Sequence, residues 1–193
     1  MSDKELIDDI LQHNSQKAFE ELVNRYQPMV TKTCLGFVNS LADAEDLAQE
    51  VFIEVFESLK GFRSEAKIST WIYRIAVNKS LNQVRKQKRD RIFRSIENFF
   101  TSKNDVNEPL QVLNRDGENA DSNLERSENK RMLKQAINAL PENQRIAFIL
   151  SKYQELSYKE IADVMGVSLS SVESLLFRAK SNLQGNLKKE MAK

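Results

Sequence analysis

Residues 153–183 read YQELSYKEIADVMGVSLSSVESLLFRAKSNL, with two runs of apolar residues at the three-and-four spacing of a helix. Gly166 separates the runs and suits the left-handed conformation that often ends a helix. Ser168 follows where the next helix needs an oxygen to cap its free amides. Ala162 is small enough to let the second run pack closely, with Val172 buried beneath it. The stretch therefore predicts two short helices joined by a tight corner.

A helix-turn-helix is the motif that this pattern favours, and the second helix of that motif enters a DNA major groove. The outward face of the predicted second helix carries short polar side chains that let the edges of DNA bases approach. It also carries two basic side chains suited to phosphates. The candidates for duplex contact are Ser168, Ser170, Ser171, Glu173, Ser174, Arg178 and Lys180. A helical hairpin with a glycine cap and no DNA partner has the same spacing and remains the alternative.

The composition predicts an all-α protein of one domain or two small ones. A chain of 193 residues can bury a core without disulfides, and five glycines with three prolines fit long helical periodicities. One cysteine, Cys34, and one histidine, His13, cannot build a zinc site, so we expect no metal and no cofactor. Cys34 is expected to be a buried small hydrophobe, and His13 is expected to be solvated or to cap the end of the first helix. We expect a cytoplasmic protein, because no apolar run is long enough to span a membrane and no leader precedes the first helix.

Charge is segregated along the chain. Residues 1–60 contain five Lys or Arg residues and twelve Asp or Glu residues. Residues 61–95 contain ten basic residues and two acidic ones. Residues 96–128 are acidic again, with three against eight, and residues 129–193 carry eleven against six. The net charge of +1 therefore hides two basic blocks that alternate with two acidic ones. We expect a polyanion to be met at the two basic blocks and another kind of partner at the acidic surface.

Residues 41–59, LADAEDLAQEVFIEVFESL, predict an amphipathic helix after two earlier ones over residues 3–13 and 15–39. Its inward stripe comprises Ala44, Leu47, Ala48, Val51, Val55 and Leu59. Its outward face comprises Glu45, Asp46, Gln49, Glu50, Glu54 and Glu57. A helix needs only a few charges to be soluble, and this face has no base before Lys60. A docking surface for a protein is therefore favoured over an ordinary solvated face.

Residues 67–94, KISTWIYRIAVNKSLNQVRKQKRDRIFR, predict a helix with a basic outer side. The expected core stripe is Ile68, Trp71, Ile72, Ile75, Ala76 and Leu81. The outward set is Arg74, Asn78, Lys79, Asn82, Arg85, Lys86, Lys88 and Arg89. Amides that alternate with cations suit contacts to base edges and phosphates better than a merely soluble surface does. Phe62 and Arg63 in the preceding loop offer a platform for an unstacked base.

Helical periodicity disappears from about Thr101 to Asn129, where polar and acidic residues surround Pro109 and Gly117. That composition predicts a flexible acidic linker. We place the linker at residues 97–128, between a first helical domain at 1–96 and a second at 129–193. Helices over 130–140 and 142–153 would complete a second domain of four helices.

A resemblance to the extracytoplasmic-function (ECF) group of bacterial RNA polymerase sigma factors covers nearly the whole chain. Four motifs carry it in order: DAEDLAQEVF, STWIYRIAVNKSLNQVRK, LPENQRIAFIL and LSYKEIADVMGVSLSSVESLLFRAK. The resemblance implies that core RNA polymerase, through the clamp helices of its largest subunit and its flap, and promoter DNA are partners, with an anti-sigma protein as a further candidate. The implied polymerase-binding residues are Asp43, Glu45, Asp46, Gln49, Glu50 and Phe52.

The same resemblance implies that the basic helix and the loop before it meet the −10 promoter element, where a base is flipped and the strands part. The implied −10 contacts are Phe62, Arg63, Trp71, Arg74, Asn78, Lys79, Asn82, Arg85 and Lys86. The helix-turn-helix would read the −35 element as duplex. Glu173 and Leu175 stand where many relatives carry Lys and Arg, which shifts the expected phosphate contacts to Arg178 and Lys180.

Three classes of function compete on the sequence. An initiation factor for RNA polymerase uses both basic blocks and the acidic helix. A free-standing helix-turn-helix regulator needs dimer symmetry and has no use for the first domain. A helical adaptor that binds only proteins leaves the serine and arginine face of residues 170–181 without a purpose. A glycine-rich phosphate loop and a nucleophile beside a histidine are both missing from the sequence, so we predict that the protein is not an enzyme.

Overall fold

Eight α-helices make up the described part of the chain. A computed structural model describes residues 1–62, 66–101 and 120–191, and the side chains of 1–62, 66–94 and 128–189. The helices are α1 (Asp3–His13), α2 (Gln16–Val38), α3 (Leu41–Ser58), α4 (Ile68–Thr101), α5 (Ala120–Asn138), α6 (Glu142–Lys152), α7 (Tyr158–Met165) and α8 (Leu169–Met191). A short 3-10 turn, Leu59–Gly61, follows α3, and these ranges contain no strand. The predicted all-α fold of two small domains is confirmed.

Serine side chains begin many of these helices. Ser2, Ser15 and Ser40 each accept a hydrogen bond from a backbone N–H in the first turn of α1, α2 and α3. These bonds satisfy amides that have no partner inside the helix. Asn14 and Asn39 end α1 and α2 in the left-handed conformation. Caps at both ends therefore place the corners between the first three helices.

Helices α1 to α4 enclose the first core. The predicted inward stripe of α3 is entirely buried, and it packs against residues such as Leu22 of α2 and Ile72 of α4. The Tyr26 hydroxyl donates a hydrogen bond of 2.6 Å to Asp3, which holds α1 on α2. Cys34 is buried as expected, and that burial raises the pKa of its thiol. His13 is exposed as expected and lies 3.0 Å from Asp9.

Helices α5 to α8 form the second domain. Ala136, Ile137 and Leu140 of α5 and the turn after it pack against Ala179 and Leu183 of α8. The side-chain amide of Asn182 on α8 also donates a 2.8 Å hydrogen bond to Gln144 on α6. The predicted four-helix unit is present, but its first helix is longer than expected.

The ends of two helices lie inside the predicted linker at 97–128. Helix α4 continues to Thr101, and α5 begins at Ala120. Both helices therefore enter the predicted linker, of which residues 102–119 lie outside the described part of the chain.

A further apolar cluster, here called the shared core, joins the two domains. Phe37 of α2 and Tyr73, Val77 and Leu81 of α4 pack in it with side chains of α6 and α7. The buried contributions from the second domain are Ile146, Ala147, Ile149, Leu150, Ile161, Ala162 and Val164, together with Val172 of α8. The predicted burial of Leu81 is confirmed, but its assignment to the same stripe of α4 as Ile72 and Ala76 is not. That helix has two apolar faces, and Leu81 lies on the second.

Candidate nucleic-acid interface

The corner between α7 and α8 has the geometry that the sequence predicted. Gly166 adopts a φ of +66° and a ψ of 35°, a left-handed conformation that strains residues with a side chain. Its N–H donates to the Ala162 carbonyl, which also accepts from Val167 at 3.1 Å. The Ser168 hydroxyl accepts from the Ser171 amide at 3.2 Å and so caps α8. Val172 is fully buried. The helix-turn-helix is confirmed.

The start of α7 is fixed by a second capping arrangement. The Ser157 amide donates to the Glu160 carboxylate at 3.0 Å, and the Glu160 amide donates to the Ser157 hydroxyl at 3.3 Å. This reciprocal pair is a capping box. Because its hydrogen bonds favour the charged carboxylate, the pKa of Glu160 is lowered.

The outward face of α8 presents nearly all of its predicted DNA contacts to solvent. Ser171 is half-buried. The other six residues are exposed: Ser168, Ser170, Glu173, Ser174, Arg178 and Lys180. The Ser168 hydroxyl lies 3.1 Å from that of Ser170 and 2.8 Å from that of Ser171.

Phe177 was missed in the sequence and lies in the middle of this polar face. Phe177 is 77% exposed, which is the highest exposure among the large apolar residues described. Helical spacing places it on the same side as Ser170, Ser174 and Ser181. This spacing from the serines could have shown, from the sequence alone, that Phe177 lies on the outward face.

The outer face of α4 gathers most of the residues predicted to meet the −10 element. Arg74, Asn78, Asn82, Arg85 and Lys86 are exposed, whereas Trp71 and Lys79 are half-buried. The rings of Phe62 and Trp71 are 5.2 Å apart between centroids and tilted by 45°. An aromatic pair thus lies at the start of the basic face. Arg63 lies outside the described residues.

Several cations of this face already bind groups of the protein itself. Arg74 donates to the backbone carbonyl of Asp163 on α7, at 2.6 Å and 3.2 Å. Arg85 donates two hydrogen bonds to the Glu142 carboxylate on α6, at 2.6 Å and 3.1 Å. Lys79 forms a 3.2 Å ion pair with Glu54 on α3. Two of the predicted DNA contacts are therefore engaged by the second domain.

The outer face of α3 is acidic with an apolar centre. Glu45, Asp46, Gln49 and Glu50 are exposed, and Asp43 is half-buried beside the Ser40 cap. Ile53 and Phe56, missed in the sequence, are 58% and 50% exposed on the same face. Their spacing from Gln49 and Glu45 would have placed them there.

Phe52 does not belong to this surface. It is only 6% exposed and packs in the first core, because its position on α3 falls on the side of Ala48 and Val55. We therefore remove Phe52 from the predicted polymerase-binding residues.

The described ranges hold neither a cluster of metal ligands nor a membrane-spanning helix. These ranges contain no group of three or more His, Cys, Asp or Glu side chains that could hold a metal ion. Nor do they contain a helix that is long and apolar enough to cross a membrane.

A helix-turn-helix domain joined to a second helical domain with a basic face defines a DNA-binding transcription protein. Two family models match the chain: sigma-70 region 2 over residues 22–90 and sigma-70 region 4 over residues 130–183. The chain is 33% identical to the ECF RNA polymerase sigma-E factor of Haemophilus influenzae, covering 97% of this chain and 96% of that protein. It is 31% identical to the RNA polymerase sigma-H factor of Pseudomonas aeruginosa, covering 92% and 90%. The chain belongs to the ECF group of the sigma-70 family.

Solved structures share the fold. CnrH in complex with the cytosolic domain of CnrY aligns with a TM-score of 0.66 at 21% identity, covering 97% of both chains. The sigma factor RpoE of Bartonella quintana, in complex with the anti-sigma factor NepR, aligns with a TM-score of 0.57 at 22% identity. That alignment covers 89% of this chain and 98% of RpoE.

Proposed function

We propose that the protein binds core RNA polymerase and directs it to particular promoters. The observation that carries the proposal is the presence, in one chain, of two separate faces suited to DNA and one acidic face suited to a protein. Residues 1–96 would dock on polymerase and open the −10 element, residues 97–128 would connect, and residues 129–193 would bind the −35 element. Polymerase would carry all the chemistry, so this protein is not an enzyme, and it works in the cytoplasm.

The outer face of α3 is the proposed docking surface for the clamp helices of the largest polymerase subunit. Ile53 and Phe56 supply an exposed apolar centre, and Asp46 and Glu50 supply part of the charged rim. Protein interfaces commonly combine an apolar centre with a polar rim. The acidic rim would select a basic partner and repel DNA.

The outer face of α8 is the proposed reader of the −35 duplex. The short serine side chains allow the helix to approach base edges, and Arg178 and Lys180 are available for phosphates. Phe177 adds an apolar contact in the middle of the face, and the apolar group that a major groove offers is the methyl of thymine. We therefore add Phe177 to the proposed −35 contacts.

The outer face of α4 is the proposed site for the −10 element. The Phe62–Trp71 pair could stack an unpaired base, and Arg74, Asn78 and Asn82 offer polar groups beside it. Opening about ten base pairs costs on the order of 14 kcal/mol at roughly 1.4 kcal/mol per step. Stacking returns only about 1–3 kcal/mol for each captured base. The protein alone therefore cannot melt a promoter, and polymerase must supply the difference.

An anti-sigma protein is a further proposed partner. Two proteins of the same fold were solved with a bound protein: CnrH with the cytosolic domain of CnrY, and the sigma factor RpoE with the anti-sigma factor NepR. The runner-up function, a free-standing regulator, is disfavoured by the match to sigma-70 region 2, which covers a domain that a simple regulator does not need.

Reconstitution with core polymerase tests the proposal. The mixture should produce transcripts with defined starts from fragmented genomic DNA, whereas neither component alone should do so. Asp46→Arg should weaken co-migration with polymerase at least tenfold, because it places a cation against a basic partner. Asp8→Arg, an exposed charge reversal on α1, is the matched control and should leave co-migration unchanged. Nanomolar binding to a DNA duplex without polymerase would instead support the regulator.

A further inference from the structure

One acidic side chain lies on the serine-rich outward face of α8. Glu173 is exposed in the second turn of the helix, and its surface neighbours are the residues three and four positions away. These neighbours are Leu169, Ser170, Leu176 and Phe177, and none of them is a cation. The carboxylate is therefore not neutralised by an adjacent side chain of its own helix.

Glu173 also lacks a partner elsewhere in the part of the chain that the structure describes. It forms no hydrogen bond and no ion pair there. Other acids of the second domain do have such roles, since Glu142 accepts two hydrogen bonds from Arg85 and Glu160 caps α7. A structural role within these ranges therefore does not explain the carboxylate of Glu173.

A carboxylate on a helix that faces DNA is unfavourable unless the DNA offers it a hydrogen-bond donor. The phosphates are negatively charged and accept hydrogen bonds, so they repel it. The donors in the major groove are the amino groups at N4 of cytosine and N6 of adenine. Adenine presents the acceptor N7 beside its donor, whereas cytosine presents the donor alone. The base edge that best fits a carboxylate is therefore that of cytosine.

The place of Glu173 along α8 suits a base contact. Side chains near the start of the second helix of a helix-turn-helix contact base edges, and Glu173 is the fifth residue of α8. The outward residues on either side, Ser170 and Ser174, are short, so they leave room for the helix to approach the groove. Arg178 and Lys180 lie further along the helix, where they can bind phosphates.

We propose that Glu173 is a specificity-determining residue, which selects cytosine at one position of the −35 element and rejects guanine there. This inference rests on the proposed function, because it assigns a base to the face already proposed to read that element. Guanine is rejected most strongly, since its O6 and N7 both accept hydrogen bonds and would face the carboxylate. An unpaired charge of this kind gives specificity by weakening the binding of wrong sequences.

Base substitution in a promoter tests the inference. Mapping of transcript starts with the full-length protein and core polymerase identifies a promoter, and each −35 position is then changed to all four bases. The polymerase complex of the unaltered protein should prefer cytosine to guanine about fivefold or more at one position, as a specific base contact would. Glu173→Arg should reverse this preference, because Arg binds O6 and N7 of guanine. Glu173→Gln should shift the preference towards adenine, because Gln binds N6 and N7 of that base.

Asp8→Arg is the matched control, since it makes the same change of charge at an exposed site on α1. It should keep every base preference. Both Glu173 variants should show unchanged far-UV circular dichroism, because the side chain is exposed.

Three results would overturn the inference and leave the proposed function intact. The unaltered protein could transcribe without a preference for cytosine, or the preference could survive both Glu173 variants. Glu173→Arg could also strengthen binding to every sequence equally, and the carboxylate would then act only on phosphates. An unaltered protein that yields no transcript with polymerase would overturn both proposals.

Discussion

Replacing Gly36 with alanine should separate the two domains. Inside a helix, alanine is more stable than glycine by roughly 0.5–1 kcal/mol, so α2 by itself should gain stability. The added methyl would lie 2.8 Å from Ile149 Cγ2, which belongs to a branched and fully buried side chain. Overpacking of this kind typically costs about 1–3 kcal/mol. The cost falls on the contact between the domains, because that is where the two atoms meet.

The expected change in the population of the closed form, in which the shared core joins the two domains, follows from this cost. A free energy of about 1–3 kcal/mol changes an equilibrium about 5- to 150-fold. Spin labels at Gln12 on α1 and Lys152 on α6, both exposed, report the distance between the domains. In a Cys34→Ala background, Gly36→Ala should shift the measured distances to longer and broader values.

Two further variants decide whether the reasoning is right. Ile149→Ala removes the clashing methyl, so the double variant with Gly36→Ala should recover part of the closed population. Gly185→Ala is the matched control, since it also places alanine inside a helix but meets no atom within 4 Å. If Gly36→Ala leaves the distances unchanged, as Gly185→Ala should, the close approach of α2 and α6 is refuted.

Three more predictions concern the cap of α7, the shared core and α8. Ser157→Ala should lower the free energy of unfolding in urea by about 1 kcal/mol. The lowered pKa of Glu160 means that its contribution is present above pH 4.5 and lost as the pH falls through the lowered value, and the variant should lack this acid dependence. Burial raises the pKa of Tyr73 from 10.0 to about 12. The domains should therefore separate as the pH rises through that window, which would lengthen the spin-label distance. Tyr73→Phe should abolish this change in distance. Replacing thymine by uracil in the −35 duplex should weaken binding of the polymerase complex about fourfold, because one methyl group contributes about 0.8 kcal/mol. Phe177→Ala should remove the difference between the two duplexes. Equal binding of both duplexes by the unaltered protein would refute the Phe177 contact.

Local signals made the helix-turn-helix predictable. Gly166, Ser168 and Ala162 act on neighbours within one or two helical turns, so their roles can be inferred from spacing alone. The inward stripe of α3 was predictable for the same reason, since all of its residues pack into a single core. The capping box at Ser157 was equally local and could have been found from the serine and glutamate three residues apart.

Contacts between distant parts of the chain were not predictable in the same way. The α4 sequence contains one apolar stripe through Ile72 and Ala76 and another through Tyr73, Val77 and Leu81. Periodicity shows that both exist, but only tertiary packing determines what covers the second. Gly36 likewise has no local signature, because its role depends on Ile149 far along the chain. Phe52 was misplaced because it belongs to a run of three apolar residues, Val51 to Ile53, and such a run does not by itself show which of its members points outward.

The second apolar face of α4 also has a consequence for how the protein behaves in a test tube. When the domains part, Phe37, Tyr73, Val77 and Leu81 become wet, and an apolar strip of this kind promotes self-association. Variants that favour separation should therefore precipitate more readily as their concentration is raised, and co-expression with polymerase should rescue their yield. Solubility of the purified protein would then be a simple readout of how firmly its two halves hold together.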